Sequence, residues 1–295
     1  MTKDVEYMKF AVMGGDGRIE QLCRLLCRDG HRLKTYALER AQLQGEAIAC
    51  SGAEECAAHA DCILLPLPLS GRQGYLSTLL SAREVSLDEV FAALPGGIPV
   101  CAGRVDDFAA ELARRHGIGL TDYFDREELR IMNAAATAEG ALELLIRETP
   151  QTLLGAKALV IGFGRIGRLL AHRLQAMGCH VAVASRKCAD MAWCRAYGYE
   201  ALDTTALEGH LGRFDMVVNT VPAGVLGEDR LRLLKSGALC MDLASRPGGV
   251  DFAAAARLGV RAIWALSLPG ETAPESAGEF IRDTIYNILR EEGLM

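Results

Sequence analysis

Short apolar runs recur along the whole chain, separated by stretches whose apolar positions repeat at helical spacing. In the first part the runs predict strands at 9–13, 31–37, 61–67 and 99–102, and the periodic segments predict helices at about 19–28, 87–93 and 106–116. Regular alternation of strand and helix builds a parallel sheet covered by helices. A second series opens with an apolar strand at 158–161 and continues with a helix over 165–177 that carries Ile166, Leu169, Leu170 and Leu174 at helical spacing. Gly178 is a natural stop for that helix. Strands follow at 180–185, 199–202, 215–220, 238–243 and 261–266. Between the two series, Asp125-Arg126-Glu127-Glu128 reads as a capping start, and helix-favouring residues run on to Pro150. A last helix over 273–290 carries Phe280, Ile281, Ile285, Ile288 and Leu289 and is expected to pack back on the first domain.

The turn Gly162-Phe163-Gly164-Arg165-Ile166-Gly167 stands between the strand and the helix that open the second series. Glycines at these three positions permit a tight turn, a close backbone approach to a pyrophosphate, and close packing of helix on strand, and the helix aims its positive end at the phosphates. A bare GxGxxG is weak evidence in a chain with 31 glycines, but here both flanks are right. The expected fold is therefore α/β, with two Rossmann-like doubly wound parallel-sheet domains joined by a long helix and a C-terminal helix returning to the first domain. The expected divisions are 1–125 for a substrate-side domain, 126–150 for the joining helix, 151–270 for the dinucleotide-binding domain and 271–295 for the returning helix.

About twenty residues beyond the middle glycine, the next strand ends in Ser185-Arg186-Lys187, where NAD-preferring sites carry an acid for the ribose hydroxyls. A guanidinium and an ammonium suit a 2′-phosphate instead, which favours NADP as cofactor. The alternative is a solvated Arg-Lys pair opening an exposed helix. Other strand ends of this domain place Thr220, Val221 and Pro222 after Asn219, and Asp242, Ala244 and Ser245, at the edge where the nicotinamide half is expected. Leu268-Pro269-Gly270 begins a loop stiffened by two prolines, read either as a cover over the nicotinamide or as helix punctuation.

Hydrophobic residues make up 50% and charged residues 24% of the 295, which excludes a largely disordered chain. A formal net charge of −6 argues against a broad nucleic-acid surface. Ten cysteines are scattered without a CxxC pair or a Cys/His cluster at zinc spacing, so they read as reduced thiols and no metal is expected. The opening Met-Thr-Lys-Asp-Val-Glu lacks a leader's apolar core and no apolar run reaches about 18 residues, so a cytoplasmic protein without membrane contact is expected. In the first domain, Gly14-Gly15-Asp16-Gly17-Arg18 occupies the first strand-to-helix turn, and a plain glycine connection leaves Asp16 and Arg18 unexplained. In the joining helix, Asn133 and Thr137 share a face near Glu139, among alanines that suggest close approach by a ligand. The alternative has Thr137 bonding back into its own helix and Glu139 solvated. No histidine follows the last strand, where a hydroxy-acid dehydrogenase of this build is expected to carry its base.

Taken together, Gly14-Gly15-Asp16-x-Arg18, Asp122-Tyr123-Phe124, Asn133-x-x-x-Thr137-Ala138-Glu139-Gly140-Ala141, the Gly162 turn, Ser185-Arg186-Lys187, Asn219-Thr220-x-Pro222-Ala223, Asp242-Leu243-Ala244-Ser245-x-Pro247-Gly248-Gly249 and Leu268-Pro269-Gly270 resemble the family of the dipicolinate synthase A subunit, known from sporulating bacteria, over nearly the whole chain. Departures are Gly17 in the first motif, Ala136 where the family often has proline, and Trp264 in the last strand. The resemblance implies NAD(P)-dependent oxidation of a dihydrodipicolinate to pyridine-2,6-dicarboxylate in the mother cell, with a flavoprotein-like B subunit as partner. A small dicarboxylate substrate in a cleft between the domains and a homo-oligomeric chain are also expected. Arg18 is the choice for clamping a carboxylate, with Asp16 orienting it, and the base is Glu139, Tyr123 or a water. Two other readings are a shikimate-dehydrogenase-like NADP oxidoreductase, whose Ser-x-Ser motif and Lys-Asp pair are not found here, and a non-catalytic protein that senses NADP and regulates its partner.

Overall fold

The structure, a computed structural model, describes residues 7–43, 45 and 47–295; the opening segment 1–6, read above for a missing leader, lies outside the described residues. The described residues up to Met132, together with Ala273–Met295, form one unit, and Asn133–Thr272 form the second. Unit 1 runs through β1 (Lys9–Met13), α1 (Gly17–Arg28), β2 (Arg32–Tyr36), β3 (Ile48–Ala49), α2 (Ala53–Ala57), β4 (Cys62–Leu64), β5 (Ser70–Arg72), β6 (Tyr75–Leu76), α3 (Leu87–Ala93), β7 (Val100–Ala102), α4 (Asp107–Arg115), β8 (Leu120–Asp122) and the first turns of α5 (Glu127–Glu148). The rest of α5 opens unit 2, which continues with β9 (Lys157–Ile161), α6 (Arg165–Ala176), β10 (His180–Ser185), α7 (Cys188–Ala196), β11 (Glu200–Asp203), β12 (Met216–Asn219), α8 (Glu228–Leu231), β13 (Leu239–Asp242), α9 (Phe252–Leu258), β14 (Arg261–Trp264) and α10 (Leu268–Thr272). The last helix, α11 (Pro274–Glu291), belongs to unit 1.

Both main sheets are parallel and have the same plan, β3-β2-β1-β4-β7-β8 in unit 1 and β11-β10-β9-β12-β13-β14 in unit 2. Strand order reverses between β1 and β4 and between β9 and β12, so the loops after those strands diverge at the carboxyl edge and open a crevice there. The expected doubly wound class is the observed one. Several elements, among them β3, α2, the β5-β6 hairpin and β8, have no counterpart among those expected, and two expected regions take another form. The run at 61–67 gives only a three-residue strand, because Pro66 and Pro68 have no N–H for a ladder. Residues 268–272, expected as a loop, form α10, since proline is tolerated in the first turn of a helix, where its missing N–H has no intrahelical acceptor.

The side-chain period of two along β1 decides the layers of unit 1. Ala11 and Met13 face a core with Val90 and Phe91 of α3 and Leu112 of α4, while Phe10 and Val12 face Ile19, Leu22 and Leu26 of α1 and Ile281, Ile285 and Ile288 of α11. Each fully buried aliphatic side chain contributes about 1.5–3 kcal/mol. Helices α1 and α11 meet closely because Gly278 has no Cβ; one built there would lie 2.8 Å from Gln21 Cβ and 3.0 Å from the Arg18 carbonyl oxygen. All ten cysteines are thiols and Cys188 alone is exposed. Burial pushes the thiols of Cys194 and Cys240 up to about 11 and about 12, so they pack as small apolar groups.

A partly buried polar chain, with His31 as its buried member, ties α11 to the sheet. His31 Nδ1 accepts from the Met8 N–H at 3.1 Å, His31 Nε2 lies 2.9 Å from the Tyr286 hydroxyl, and that hydroxyl donates to Asp29 Oδ2 at 3.0 Å. Burial holds the imidazole below its ordinary value against the opposing pull of Asp29. The unfolded chain therefore takes up a proton at about pH 6.5 that the folded chain refuses, so this contribution to stability is full above that pH and declines below it. Thermal melts from about pH 7.5 to about pH 5.5 are expected to lose more melting temperature in the wild type than in His31→Gln. Equal losses in the two proteins would contradict the assignment.

Candidate functional site

The glycine turn of unit 2 is dictated by space. Gly162 has φ +100, and a Cβ there would lie 2.3 Å from Thr220 Oγ1 and 2.8 Å from Val221 Cγ2. At Gly167 a Cβ would lie 2.2 Å from the Gly162 carbonyl oxygen, so helix α6 packs directly on the turn. Gly164 is the opposite case, since a Cβ there meets nothing within 4 Å. Gly164 caps α6 without a side-chain bond, and the first intrahelical bond runs from Arg168 N to Gly164 O, so the N–H groups of Ile166 and Gly167 have no acceptor within the helix. Bare backbone at a helix start is the chemistry a pyrophosphate requires. The turn is braced from behind by Arg168, whose Nε donates to the Phe163 carbonyl at 3.0 Å while its guanidinium lies 5.0 Å over the Phe163 ring.

At the end of β10, Ser185 Oγ donates to Asp190 Oδ2 at 3.0 Å and accepts from the Lys187 N–H at 3.3 Å. Arg186 and Lys187 are exposed, and among the described residues neither side chain has a hydrogen-bonded or ion-paired partner. Two uncommitted cations at this strand end suit a phosphate dianion. Asp190, tied to Ser185 and to Arg168 at 3.5 Å, is an acid in this neighbourhood that the sequence pattern did not single out.

Across the strand-order reversal, Thr220 Oγ1 donates to the Ile161 carbonyl at 2.9 Å, stitching the loop after β12 to the end of β9. Asn219 and Asp242 are completely buried and build the loops beyond. Asn219 Nδ2 donates to Asp242 Oδ1 at 2.8 Å and to the Val221 carbonyl at 2.9 Å, and its Oδ1 accepts from the Val221 N–H at 3.1 Å. Asp242 Oδ1 also accepts from Ala244 N at 3.0 Å, and Oδ2 accepts from Gly249 N at 2.6 Å and Val250 N at 3.1 Å. Asp242, expected against the cofactor, instead spends its carboxylate on shaping the loop that carries exposed Ser245. Trp264, a departure from the family pattern, holds this loop by donating Nε1–H to the Ala244 carbonyl at 3.0 Å.

Three further expectations change. Leu268 and Pro269 are buried in the core of unit 2 rather than lying open as a cover. The alanines and Gly140 of α5 admit α10: a Cβ on Gly140 would lie 3.1 Å from Leu268 Cβ and 2.9 Å from Thr272 Oγ1. What closely approaches this helix is therefore protein. Thr137 is buried and its Oγ1 donates back to the Asn133 carbonyl at 2.8 Å, while Glu139 is exposed and paired with Arg173 at 2.8 Å.

In unit 1 the turn after β1 carries Gly14 at φ +67 and Gly15 at φ +124. Asp16 caps α1 by accepting from the Arg18 N–H at 3.0 Å, and its carboxylate takes the Arg18 side chain through Nε at 3.1 Å and Nη2 at 2.7 Å. The same Nη2 donates to the Leu67 carbonyl beyond β4, so Arg18, only 8% exposed, bridges the reversal point of this sheet. Among the described residues Nη1 takes part in none of these bonds. Tyr123 is fully buried and its hydroxyl donates to the Leu65 carbonyl at 3.0 Å. Burial pushes the phenol far up, so Tyr123 is a brace for the loop after β4 and not a base. The Leu67 carbonyl, Asp190 and Trp264 are partners that spacing alone could not supply; only the unusual tryptophan left a signal.

Residues 9–124 match the family model of the N-terminal domain of the dipicolinate synthase A subunit, and residues 133–257 match that of the D-isomer specific 2-hydroxyacid dehydrogenase NAD binding domain. The second match makes unit 2 a domain of the nicotinamide-dinucleotide class and the chain oxidoreductase-like. The dipicolinate synthase A subunit of Bacillus subtilis (strain 168) is 31% identical over 288 residues, covering 96% of each chain. The crystal structure of the B. subtilis dipicolinate synthase A chain superposes with a TM-score of 0.87 at 30% identity, covering 97% of each chain. The A-subunit structure from Bacillus halodurans gives 0.88 at 27% identity, covering 96% of this chain and 97% of that one. By sequence over nearly its whole length and by fold in both units, this chain belongs to the family of the dipicolinate synthase A subunit.

Proposed function

We propose that this chain oxidises a dihydrodipicolinate to pyridine-2,6-dicarboxylate with NADP, acting with a flavoprotein-like B subunit. The observation that carries the substrate side is Arg18, a guanidinium fixed by Asp16 and the Leu67 carbonyl at the reversal point of unit 1, with Nη1 left over. A guanidinium already held in place offers its remaining Nη1 to a carboxylate at little entropic cost. Removal of a hydride and a proton from the dihydropyridine aromatises the ring, so atoms and electrons balance without oxygen or metal. When bound, a nicotinamide dinucleotide accepts the hydride. The chain's part is to orient the ring by its carboxylates and to hold the dinucleotide by the N–H groups at the start of α6, Thr220 and Val221 at the turn, and Arg186 and Lys187 at the ribose phosphate. Tyr123 is bonded to the Leu65 carbonyl and Glu139 is exposed and paired with Arg173, which favours water as the proton acceptor.

The test is to incubate the full chain with freshly generated dihydrodipicolinate, with and without NADP and the B subunit, and to follow dipicolinate. Formation that requires this chain and NADP supports the reading, and its absence in every arm overturns it. NADP is expected to bind more tightly than NAD, and Arg186→Ala to weaken NADP alone by about ten- to a hundredfold, the weight of a charge-assisted hydrogen bond of about 1.5–3 kcal/mol. Titrations giving one NADP affinity for both proteins would sink the phosphate assignment. Arg18→Ala is expected to lower kcat/KM at least about tenfold while NADP affinity holds, with partial rescue in Arg18→Lys, because an ammonium keeps the charge but cannot bond Asp16, the Leu67 carbonyl and a substrate carboxylate in one fixed plane. A folded Arg18→Ala protein with wild-type turnover would place the clamp elsewhere.

A further inference from the structure

The loop that follows β7 holds an exposed arginine in a backbone conformation that its side chain does nothing to explain. Arg104 has φ +53, in the left-handed region where residues other than glycine and asparagine are rare. The Asp122 carboxylate holds it there: Oδ1 accepts from Arg104 N at 2.9 Å, and Oδ2 accepts from Val105 N at 2.7 Å. Oδ1 also accepts from Phe124 N at 2.8 Å, which fixes the carboxylate from the other side. Glycine would fill position 104 without strain, yet an arginine stands there, exposed and, among the described residues, with no partner for its side chain.

The position explains what the strain supports. Gly103 N donates to the Pro66 carbonyl at 3.0 Å and Gly103 O accepts from Leu69 N at 2.7 Å, so this turn is bonded to the segment after β4. It is that segment whose Leu67 carbonyl takes the Arg18 guanidinium. There is no slack between them: a Cβ on Gly103 would lie 2.7 Å from Leu67 Cβ and 2.7 Å from the Tyr123 ring. Strand β4 lies between β1 and β7 in the sheet, so Arg18 reaches its carboxyl end from one side and Arg104 stands on the loop after its neighbour on the other. Backbone strain that the surroundings enforce collects at ligand sites.

We propose that Arg104 is a second carboxylate anchor of the substrate site, so that Arg18 and Arg104 each take one carboxylate of a small planar dianion. The inference rests on the dicarboxylate reading given under Proposed function. It assigns Arg104 the discrimination of a dicarboxylate from a monocarboxylate, with no part in hydride or proton transfer.

The test compares binding of pyridine-2,6-dicarboxylate and pyridine-2-carboxylate to the full chain by calorimetry, in wild type, Arg104→Gly and Arg104→Gln. Wild type is expected to prefer the dicarboxylate by at least about tenfold. Both variants are expected to lose that preference by weakening the dicarboxylate, with the monocarboxylate changed by less than about twofold. Arg104→Gly takes φ +53 freely, so it keeps the loop and isolates the side chain from the backbone. A preference retained by both variants overturns the assignment of Arg104 alone. A wild-type chain with no preference for the dicarboxylate overturns the substrate class as well, and the two failures are thereby told apart.

Discussion

In each unit a parallel sheet reverses its strand order between two neighbours, and one side chain is bonded across the loops that this reversal drives apart. At β1 and β4 the gap is crossed by Arg18, from a turn at Asp16 to the carbonyl of Leu67. At β9 and β12 it is crossed by Thr220, whose hydroxyl reaches the Ile161 carbonyl. Parallel strands leave their carboxyl-end loops free to diverge, and a group bonded across the divergence sets how far the crevice opens. The two crossings differ in character. Unit 1 uses a charge and keeps one donor uncommitted, whereas unit 2 uses a neutral hydroxyl and leaves bare glycine backbone, which suits a small anion in one and a pyrophosphate in the other.

The buried ions obey the same economy. Burying a carboxylate costs several kcal/mol unless hydrogen bonds replace water, and removing one partner of a buried pair costs about 3–5 kcal/mol. Fully buried Asp242 meets this with bonds from Asn219, Ala244, Gly249 and Val250, and Asp122, only half-buried, is held by bonds from Arg104, Val105 and Phe124. The four bonds fill the acceptor capacity of Asp242, and three of the four acceptor sites of Asp122 are taken. Their effect is to hold the loops in shapes that short polar sequences would not keep alone, so that the exposed groups on those loops are positioned in advance.

Much of the scaffold is legible in the sequence because it rests on local rules. Strands β1 and β10 and helix α3 fall on the expected residues, since each is an uninterrupted apolar run or periodic stretch bounded by turn or capping residues. The Gly162 turn is legible for the same reason: each glycine answers a separate steric demand. What sequence could not reveal depends on distant partners. Alanines in α5 look like room for a ligand until α10 is seen packed against Gly140, and Tyr123 looks like a base until its burial against Leu65 is known. Position 104 leaves no signal in the sequence, because φ is not written in the residue name. Asp242 and Ser245 read alike as edge residues, although one is buried and the other exposed.

On the proposed function, unit 1 recognises a small dicarboxylate at the reversal point of its sheet while unit 2 holds the dinucleotide at the start of α6. A crystal structure of the full chain grown with NADP and pyridine-2,6-dicarboxylate tests it most directly. The account predicts a carboxylate within hydrogen-bond distance of Arg18 Nη1 at the ends of β1 and β4, and the 2′-phosphate against Arg186 and Lys187. A dicarboxylate seated away from Arg18, or a 2′-phosphate away from the end of β10, would contradict it.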